Sequence, residues 1–290
     1  MQSLELSQRP VVLPEKQRAA LISLLVYDDP AIYQMVRGQL LSYGQAGCQW
    51  LLPHTLSGNP VMRRRASEIV NHHARQAADK RFLDFCRSHG EVMDLEHATG
   101  LLAQTKYPEI NLEAYEALYD SWAGELRGRI ESGGPANSIL GAINQFLFEE
   151  LGFSGNDNYG HEPESCYLNR IVDLRSGNPI GLCAIYLFIT RRLRLPVAGI
   201  GLPGHFICRH QSSTQEIYID AFRKGLFLSK ADCVKYLLQT NHDLLGGHLS
   251  PVSGRRILLR MCHNLLTTYG HLELTEDAKR VQRYIMALSK

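Results

Sequence analysis

Residues 176–222 read SGNPIGLCAIYLFITRRLRLPVAGIGLPGHFICRHQSSTQEIYIDAF and combine one apolar helix pattern with three strand patterns. The apolar run at 180–190 follows a turn at Asn178-Pro179, is long enough for a buried helix, and ends in arginines, which suit a helix C-terminus. Three short segments rich in β-branched and aromatic residues follow, at 197–202, 205–210 and 216–222. Helices first and then antiparallel strands predict a helix-rich α+β fold rather than alternating βαβ units.

The remainder of the chain predicts helices, and capping residues mark where several of them begin. Asp29-Pro30 and Asn59-Pro60 each place a capping residue before a proline and an apolar helix. Their spacing of thirty residues fits either a helical-pair repeat or two ordinary capped helices in a bundle. Further helices are predicted from Asp94, at 112–130, 139–151 and 167–174, from Ser229 to about Thr240, and at 256–269 and 275–288.

Composition limits the classes of function. The 290 residues carry 31 Lys and Arg against 29 Asp and Glu, and a net charge of +2 predicts no general attraction to nucleic acid or to an anionic membrane. The run at 180–190 is too short for a membrane span, which takes roughly 20 residues, and no signal peptide is visible. Seven scattered cysteines without a C-x-x-C pair predict reduced thiols in the cytoplasm. No histidine cluster has ligand-like spacing, so we expect neither a metal nor another cofactor.

Three residues in the fold-deciding stretch could form a nucleophilic site. Cys183 lies near the start of the predicted apolar helix, where the helix dipole would lower its pKa and favour the thiolate. His205 follows the Pro203-Gly204 turn, and Asp220 lies near the end of the next strand. Antiparallel pairing would bring this histidine and aspartate side by side, which predicts a Cys-His-Asp triad if the helix packs on the sheet.

Each member of this predicted triad also has an ordinary structural interpretation. Cys183 could be an inert core thiol, His205 a turn residue, and Asp220 the cap of a turn at 221–225. The spacing alone leaves both interpretations open.

The stretch from 152 to 225 resembles the transglutaminase-like superfamily, whose core is papain-like, and more closely its bacterial SirB-type branch. The combination R-x-G-x-P-I, R-L-x-L-P-V-x-G, L-P-G-H-F and I-D-x-F carries this resemblance. It extends upstream to about Leu95, and residues 257–289 resemble a tetratricopeptide-like helical pair, whereas residues 1–90 resemble only generic HEAT-like repeats. The implied organisation is a helical segment at 1–90, a transglutaminase-like core with its helical lead-in at 91–250, and a helical pair at 251–290.

The resemblance implies roles for individual residues. It identifies Cys183 as the nucleophile, His205 as the general base and acid, and Asp220 as the residue that orients the imidazole. Acyl transfer also needs an oxyanion hole, for which the backbone N–H of Cys183 is one donor and Asn178 and Asn169 are candidate side-chain donors. Many SirB-type proteins carry Ser or Thr at the nucleophile position, whereas this chain has a cysteine.

Two functions follow from these observations. The first is a cysteine-dependent amide or peptide hydrolase or acyl transferase that acts on a protein or peptide. The second is a non-catalytic protein-binding or regulatory module, in which a vestigial papain-like core is flanked by helical repeats that present extended binding surfaces. The sequence does not specify the oligomeric state.

Overall fold

The computed structural model of the chain describes residues 13–131, 133–212, 216–240 and 247–290. The helices are α1 (Glu15–Ser23), α2 (Pro30–Ser42), α3 (Gly44–Leu51), α4 (Pro60–Ser88), α5 (Leu95–Lys106), α6 (Leu112–Arg129), α7 (Ala136–Asn144), α8 (Leu168–Leu174), α9 (Pro179–Arg192), α10 (Lys230–Gln239), α11 (Gly254–His271) and α12 (Thr275–Leu288). The strands are β1 (Ser154–Gly155), β2 (Ser176–Gly177), β3 (Val197–Leu202), β4 (His205–Gln211), β5 (Glu216–Asp220) and β6 (Leu226–Leu228). The chain is therefore helix-rich and carries a small antiparallel sheet, as the sequence predicts.

The capping residues identified in the sequence begin helices in the structure. Asp29 accepts a hydrogen bond from the backbone N–H of Ala31 at 2.7 Å, and Asp94 accepts one from Glu96 at 2.9 Å. Ser229 forms a reciprocal capping box with the third residue of α10. These side chains satisfy N–H groups that have no partner within their own helix, which is why the helices begin where the sequence predicts.

The described residues separate into two compact units, one that ends at Lys80 and one that spans Arg81–Lys290. The apolar core of the first unit is formed by α1 to α4 and includes Leu25, Leu40 and Ile69. Helix α3, which the sequence analysis did not predict, lies close to α2: a Cβ atom on Gly47 would come within 2.2 Å of the Leu40 carbonyl oxygen.

Helix α9 forms the centre of the second unit. Most of its residues are buried, from Pro179 through Tyr186 and again from Phe188 to Thr190. It packs against β3 and β4 and also contacts α6, α8 and α11. Burial by several neighbouring elements explains why its sequence is a continuous apolar run rather than a one-sided amphipathic pattern.

The charged C-terminus of α9 is held by acidic side chains from two other helices. The Arg192 guanidinium donates to Glu96 at 2.6 and 2.9 Å and to Asp120 at 2.5 Å. Arg191 donates to the same Glu96 at 2.8 Å. These ion pairs connect the end of α9 to α5 and α6.

The sheet has the strand order β3-β4-β5-β6, and each neighbouring pair is antiparallel. In the β3–β4 hairpin Leu202 is opposite His205, and in the β4–β5 pair Cys208 is opposite Ile219. Extending the second register by one pair puts Ile207 opposite Asp220. His205 is two residues further along, on the same face of β4, so it lies diagonally across from Asp220.

The sheet differs from the sequence prediction at two places. The third predicted strand ends at Asp220 instead of Phe222, because the Asp220 side chain caps a short turn at Ala221–Arg223. The edge strand β6 was not predicted, since it has only three residues. None of the described helices has both the length and the apolar composition needed to cross a lipid bilayer.

The turn between β3 and β4 requires a left-handed backbone conformation at Gly204, and a substitution there tests this requirement. Gly204 has φ +69°, and a Cβ atom there would meet only the Tyr236 hydroxyl at 3.6 Å, an ordinary contact. We therefore expect Gly204→Ala to lower the free energy of unfolding by about 1–2 kcal/mol through backbone strain alone. Equilibrium urea denaturation measures this change.

Gly141→Ala is the matched control for this substitution. Gly141 lies within α7, has no positive φ, and would carry a Cβ atom without any close neighbour. The control is expected to raise the free energy of unfolding by about 0.5–1 kcal/mol, as alanine does within a helix. Equal effects of the two variants would contradict the conformational explanation.

Candidate functional site

His205 and Asp220 form a hydrogen-bonded pair at one end of the sheet. His205 Nε2 lies 2.8 Å from Asp220 Oδ2, and Asp220 is only 1% exposed. The second carboxylate oxygen, Oδ1, accepts the backbone N–H groups of Phe222 and Arg223 at 3.1 and 3.3 Å. Asp220 thus holds the imidazole ring and caps the following turn at the same time. Because Nε2 faces Asp220, Nδ1 is the ring nitrogen left for contact with a ligand.

Cys183 lies outside this pair. It is the fifth residue of α9 and is completely buried, and its sulfhydryl group donates to the Phe206 carbonyl oxygen at 3.5 Å. The Cys208 sulfhydryl donates in turn to the Cys183 carbonyl oxygen at 3.7 Å. The sulfur therefore faces the inner side of β4, within the core.

Burial raises the pKa of the Cys183 thiol well above its usual range, and the neighbouring Cys208 and Asp220 raise it further. The expectation that the helix dipole lowers this pKa is therefore corrected, because the loss of solvation at the fifth helix position exceeds the effect of the helix terminus. The expected hydrogen bond between Cys183 and His205 is also not formed among the described residues. The structure joins two of the three predicted residues by a hydrogen bond, while the Cys183 thiol bonds instead to the Phe206 carbonyl oxygen.

Asn178 and Asn169, the candidate oxyanion donors, have different surroundings in the structure. Asn178 is fully buried and caps α9: its Oδ1 accepts the Gly181 N–H at 2.8 Å, and its Nδ2 donates to the Cys166 sulfur at 3.2 Å. Asn169 lines a separate cavity of about 350 Å³ bordered by α5, α6, α8 and α9, and its buried Oδ1 has no hydrogen-bond partner among the residues that the structure describes. Neither carboxamide lines a cavity that His205 lines, and the oxyanion role of both residues stays a prediction.

His205 lines two cavities. A smaller one of about 190 Å³, here called the α9–α11 pocket, is bordered by Tyr159, Pro179, Ile180, His205, Arg260 and Asn264, with further residues of β4 and α11. A larger and more open one of about 820 Å³ lies on the side of Asp220, β1 and α10. The residues of α9 that reach the smaller pocket belong to its first turn. Cys183 is three positions beyond Ile180, which is almost one helical turn deeper.

Arg260 is a residue of this site that the sequence analysis missed. Its Nη2 donates to the carbonyl oxygens of Leu202 and His205 at 2.7 and 2.9 Å, and its guanidinium carbon lies 5.8 Å from the centre of the Phe206 ring. A sequence signal did exist, since Arg260 and Asn264 are four residues apart in a helix with an otherwise largely apolar inner face. Among the described residues, no group of three or more His, Cys, Asp or Glu side chains could hold a metal ion.

Comparison with known proteins is consistent with the fold and decides the family. The model of the transglutaminase-like superfamily matches residues 113–263, just over half of the chain. The chain belongs to the transglutaminase-like superfamily. The superfamily predicted from the sequence is thereby confirmed, and the SirB-type branch stays a prediction.

Several curated proteins are similar to this transglutaminase-like chain. A UPF0162 protein of Xylella fastidiosa is 30% identical over 208 residues, which cover 68% of this chain and 73% of that protein. A UPF0162 protein of Pseudomonas aeruginosa is 29% identical over 139 residues, covering 46% of this chain and 50% of that protein. F-box only protein 21 of Mus musculus is 31% identical over 139 residues, covering 45% of this chain and 22% of that protein. No solved structure matches the chain.

The cap at Asn178 fixes the start of α9 in this transglutaminase-like core, and its removal tests that role. We expect Asn178→Ala to lower the free energy of unfolding by about 1–2 kcal/mol, because the Gly181 N–H loses its acceptor in a fully buried site. Urea denaturation followed by circular dichroism measures the change.

Asn111→Ala provides the comparison, since Asn111 is an exposed cap that accepts a single bond from the Ala114 N–H at 3.2 Å. Its cost is expected near the lower end of the range for caps, about 0.5 kcal/mol. An Asn178→Ala variant that is no less stable than Asn111→Ala would argue against a structural role for the buried cap.

Proposed function

We propose that this transglutaminase-like chain is a recognition protein of the SirB type, which binds a protein or peptide partner through the α9–α11 pocket without using Cys183 as a nucleophile. The identity of the α9 residues beside His205 carries the proposal. These residues are Pro179 and Ile180, and neither has a nucleophilic side chain. A cysteine enzyme needs its sulfur within hydrogen-bonding reach of the imidazole, at least once substrate is bound.

The state of the cysteine supports the same conclusion. Cys183 is enclosed by the core and has a pKa raised by burial, so both access and thiolate formation are opposed. To reach His205, its sulfur would have to leave its contact with the Phe206 carbonyl oxygen. That movement requires a change in how α9 packs on β4, because close-packed interiors leave no space for a side chain to swing through.

The retained His205–Asp220 pair is compatible with recognition. An imidazole held by a buried carboxylate has a fixed orientation, so its Nδ1 can contact a ligand at little cost in side-chain entropy. The pocket also has apolar walls from Pro179, Ile180 and Phe206. Apolar walls with a few oriented polar groups are the usual composition of a binding pocket.

The helices that precede and follow the core in the sequence provide surfaces for a larger partner. We propose that α1 to α4 act as a HEAT-like segment and that α11 and α12 act as a tetratricopeptide-like pair, since stacked helical pairs present extended binding faces. The similarity to F-box only protein 21 supports the use of the core as a module, because the matched stretch makes up only 22% of that longer protein. We place the protein in the cytoplasm, where all seven cysteines, free in this structure, would stay reduced.

The alternative function is a cysteine-dependent amide or peptide hydrolase or acyl transferase that uses Cys183. The His205–Asp220 distance of 2.8 Å favours it, because such an enzyme needs an imidazole oriented by a carboxylate. The two functions differ in one measurable property, the reactivity of this thiol.

Alkylation of the native protein with iodoacetamide near pH 7.5, followed by peptide mass spectrometry, distinguishes them. We expect Cys48 to react first, because it is the cysteine that is partly exposed while the other six are buried. In the folded protein, Cys183 is expected to react at about one tenth of the rate of Cys48 or below. Unfolding the protein is expected to remove this difference. His205→Ala is expected to leave the rate at Cys183 unchanged.

Cys48→Ser is the control variant. It shows whether any labelling of Cys183 depends on the presence of the exposed thiol of Cys48. If Cys183 instead reacts faster than Cys48, and the rate falls in His205→Ala, the thiol is activated by the imidazole. That outcome would overturn the recognition proposal in favour of the enzyme.

A further inference from the structure

Arg260 carries a positive charge into the α9–α11 pocket without an acidic partner. The guanidinium is half-buried, and none of the ion pairs among the described residues includes it. Its only protein acceptors there are two backbone carbonyl oxygens, those of Leu202 and His205, and both bind Nη2. Carbonyl oxygens orient a guanidinium but do not neutralise it.

No acidic side chain lines the described pocket beside Arg260. Burial lowers the pKa of Arg260, and only two tyrosines, Tyr159 and Tyr236, oppose this effect. The residues that line the pocket include no aspartate and no glutamate. The carboxylate of Asp220, which holds the His205 ring, is already engaged by His205 and by two backbone N–H groups.

Part of the guanidinium remains available to a ligand. The Nε and Nη1 groups make no hydrogen bond to the described residues. Neither nitrogen is among the buried polar atoms that lack a hydrogen-bond partner, so both are exposed to solvent. Their N–H groups are therefore accessible. A cation at the wall of a cavity whose N–H groups have no acceptor can form charge-assisted hydrogen bonds with an anionic ligand.

Other polar side chains lie on the same wall. Asn264 follows Arg260 by four positions on α11, and Thr267 and Thr268 follow by seven and eight, so they share one face of the helix. His205 also lines the pocket, and Asp220 engages its Nε2 rather than its Nδ1. An amide and a hydroxyl donate to oxygen, and an imidazole that already donates at Nε2 does so at Nδ1 only when it carries a second proton.

From this juxtaposition we propose that the α9–α11 pocket binds an oxyanion, a carboxylate or a phosphoryl group, with Arg260 as its counter-ion and Asn264 and His205 as further contacts. The inference rests on the proposed recognition function and specifies the chemical class of its ligand. A cavity of about 190 Å³ holds the end group of a ligand rather than an entire peptide. The bound group is then the anionic terminus or substituent of the partner.

A purely structural role for Arg260 is the competing explanation, since its two bonds to backbone carbonyls also fasten the β3–β4 turn. Arg260→Gln separates the two roles, because glutamine can still donate to a carbonyl but carries no charge. Arg256→Gln is the matched control: Arg256 is exposed and lies one turn earlier on the same helix. Asn264→Leu and Tyr159→Phe test the pocket independently, in case Arg260→Gln does not fold.

The experiment is an NMR titration of the full chain labelled in its histidine rings. Inorganic phosphate and N-acetylglycine are added separately, with sodium chloride at matched ionic strength as the reference. We expect saturable shifts of the His205 resonances, while most of the other eleven of the 12 histidines report only the bulk ionic effect. Arg260→Gln is expected to weaken binding about tenfold or more, and Arg256→Gln is expected to leave it unchanged.

The outcomes are distinct. Saturation by N-acetylglycine alone supports a carboxylate ligand, and saturation by phosphate alone supports a phosphoryl ligand. The inference is overturned if neither anion shifts His205 beyond the chloride reference, or if folded Arg260→Gln binds as tightly as the unaltered chain. Should Arg260→Gln fail to fold, undiminished binding by both Asn264→Leu and Tyr159→Phe overturns it as well.

The titration does not involve the thiol, so its failure is distinguishable from failure of the proposed function. Absence of anion binding with an unreactive Cys183 removes only the ligand class. A reactive Cys183 removes the recognition function whatever the titration gives.

Discussion

The burial of α9 on almost all of its length is the constraint on which the second unit depends. A helix surrounded by a sheet and other helices must have apolar side chains on most of its faces, and its polar ends must find partners in the surrounding elements. Asn178 provides that partner at the start, and Glu96 and Asp120 provide it at Arg192. With both ends held, the position of every α9 side chain relative to β4 is determined.

The contrast between Cys183 and Ile180 follows directly from this placement. The first turn of α9 borders the pocket beside His205, and the next turn is already under β4. A thiol on the first turn would be partly solvated and close to the imidazole. A thiol one turn later exchanges water for apolar neighbours, and its neutral form is favoured because no nearby cation compensates for desolvation of the thiolate.

The two charged groups of the site, Asp220 and Arg260, differ in how their charges are stabilised. Asp220 is almost completely buried, but its oxygens accept bonds from an imidazole and from two backbone N–H groups, so its charge is compensated within the protein. Arg260 is less buried, and its acceptors among the described residues are neutral carbonyl oxygens. When a cation beside a cavity has no counter-ion within the protein, a ligand or solvent must stabilise its charge. This difference gives the two sides of His205 different chemical characters.

Local sequence signals determined a large part of this molecule. The caps at Asp29, Asp94 and Ser229, the buried helix and the β3–β4 turn all depend on residues a few positions apart, so the sequence alone was sufficient to predict them. Elements without a local pattern were missed. The parallel pair of Ser154 with Ser176 joins two-residue strands that are distant in sequence, and α3 starts only two residues after α2 ends.

The residues of the site divide in the same way. The sequence by itself determined that His205 and Asp220 would occur on neighbouring strands, because a tight turn and strand alternation restrict their separation. Only the tertiary structure decided that Cys183 faces the core, that Asn178 caps α9 while Asn169 lines a separate cavity, and that Arg260 reaches the pocket from α11. The physical reason is that burial, solvation and the direction of a side chain depend on which surfaces pack together, and a linear pattern of residues does not contain that information.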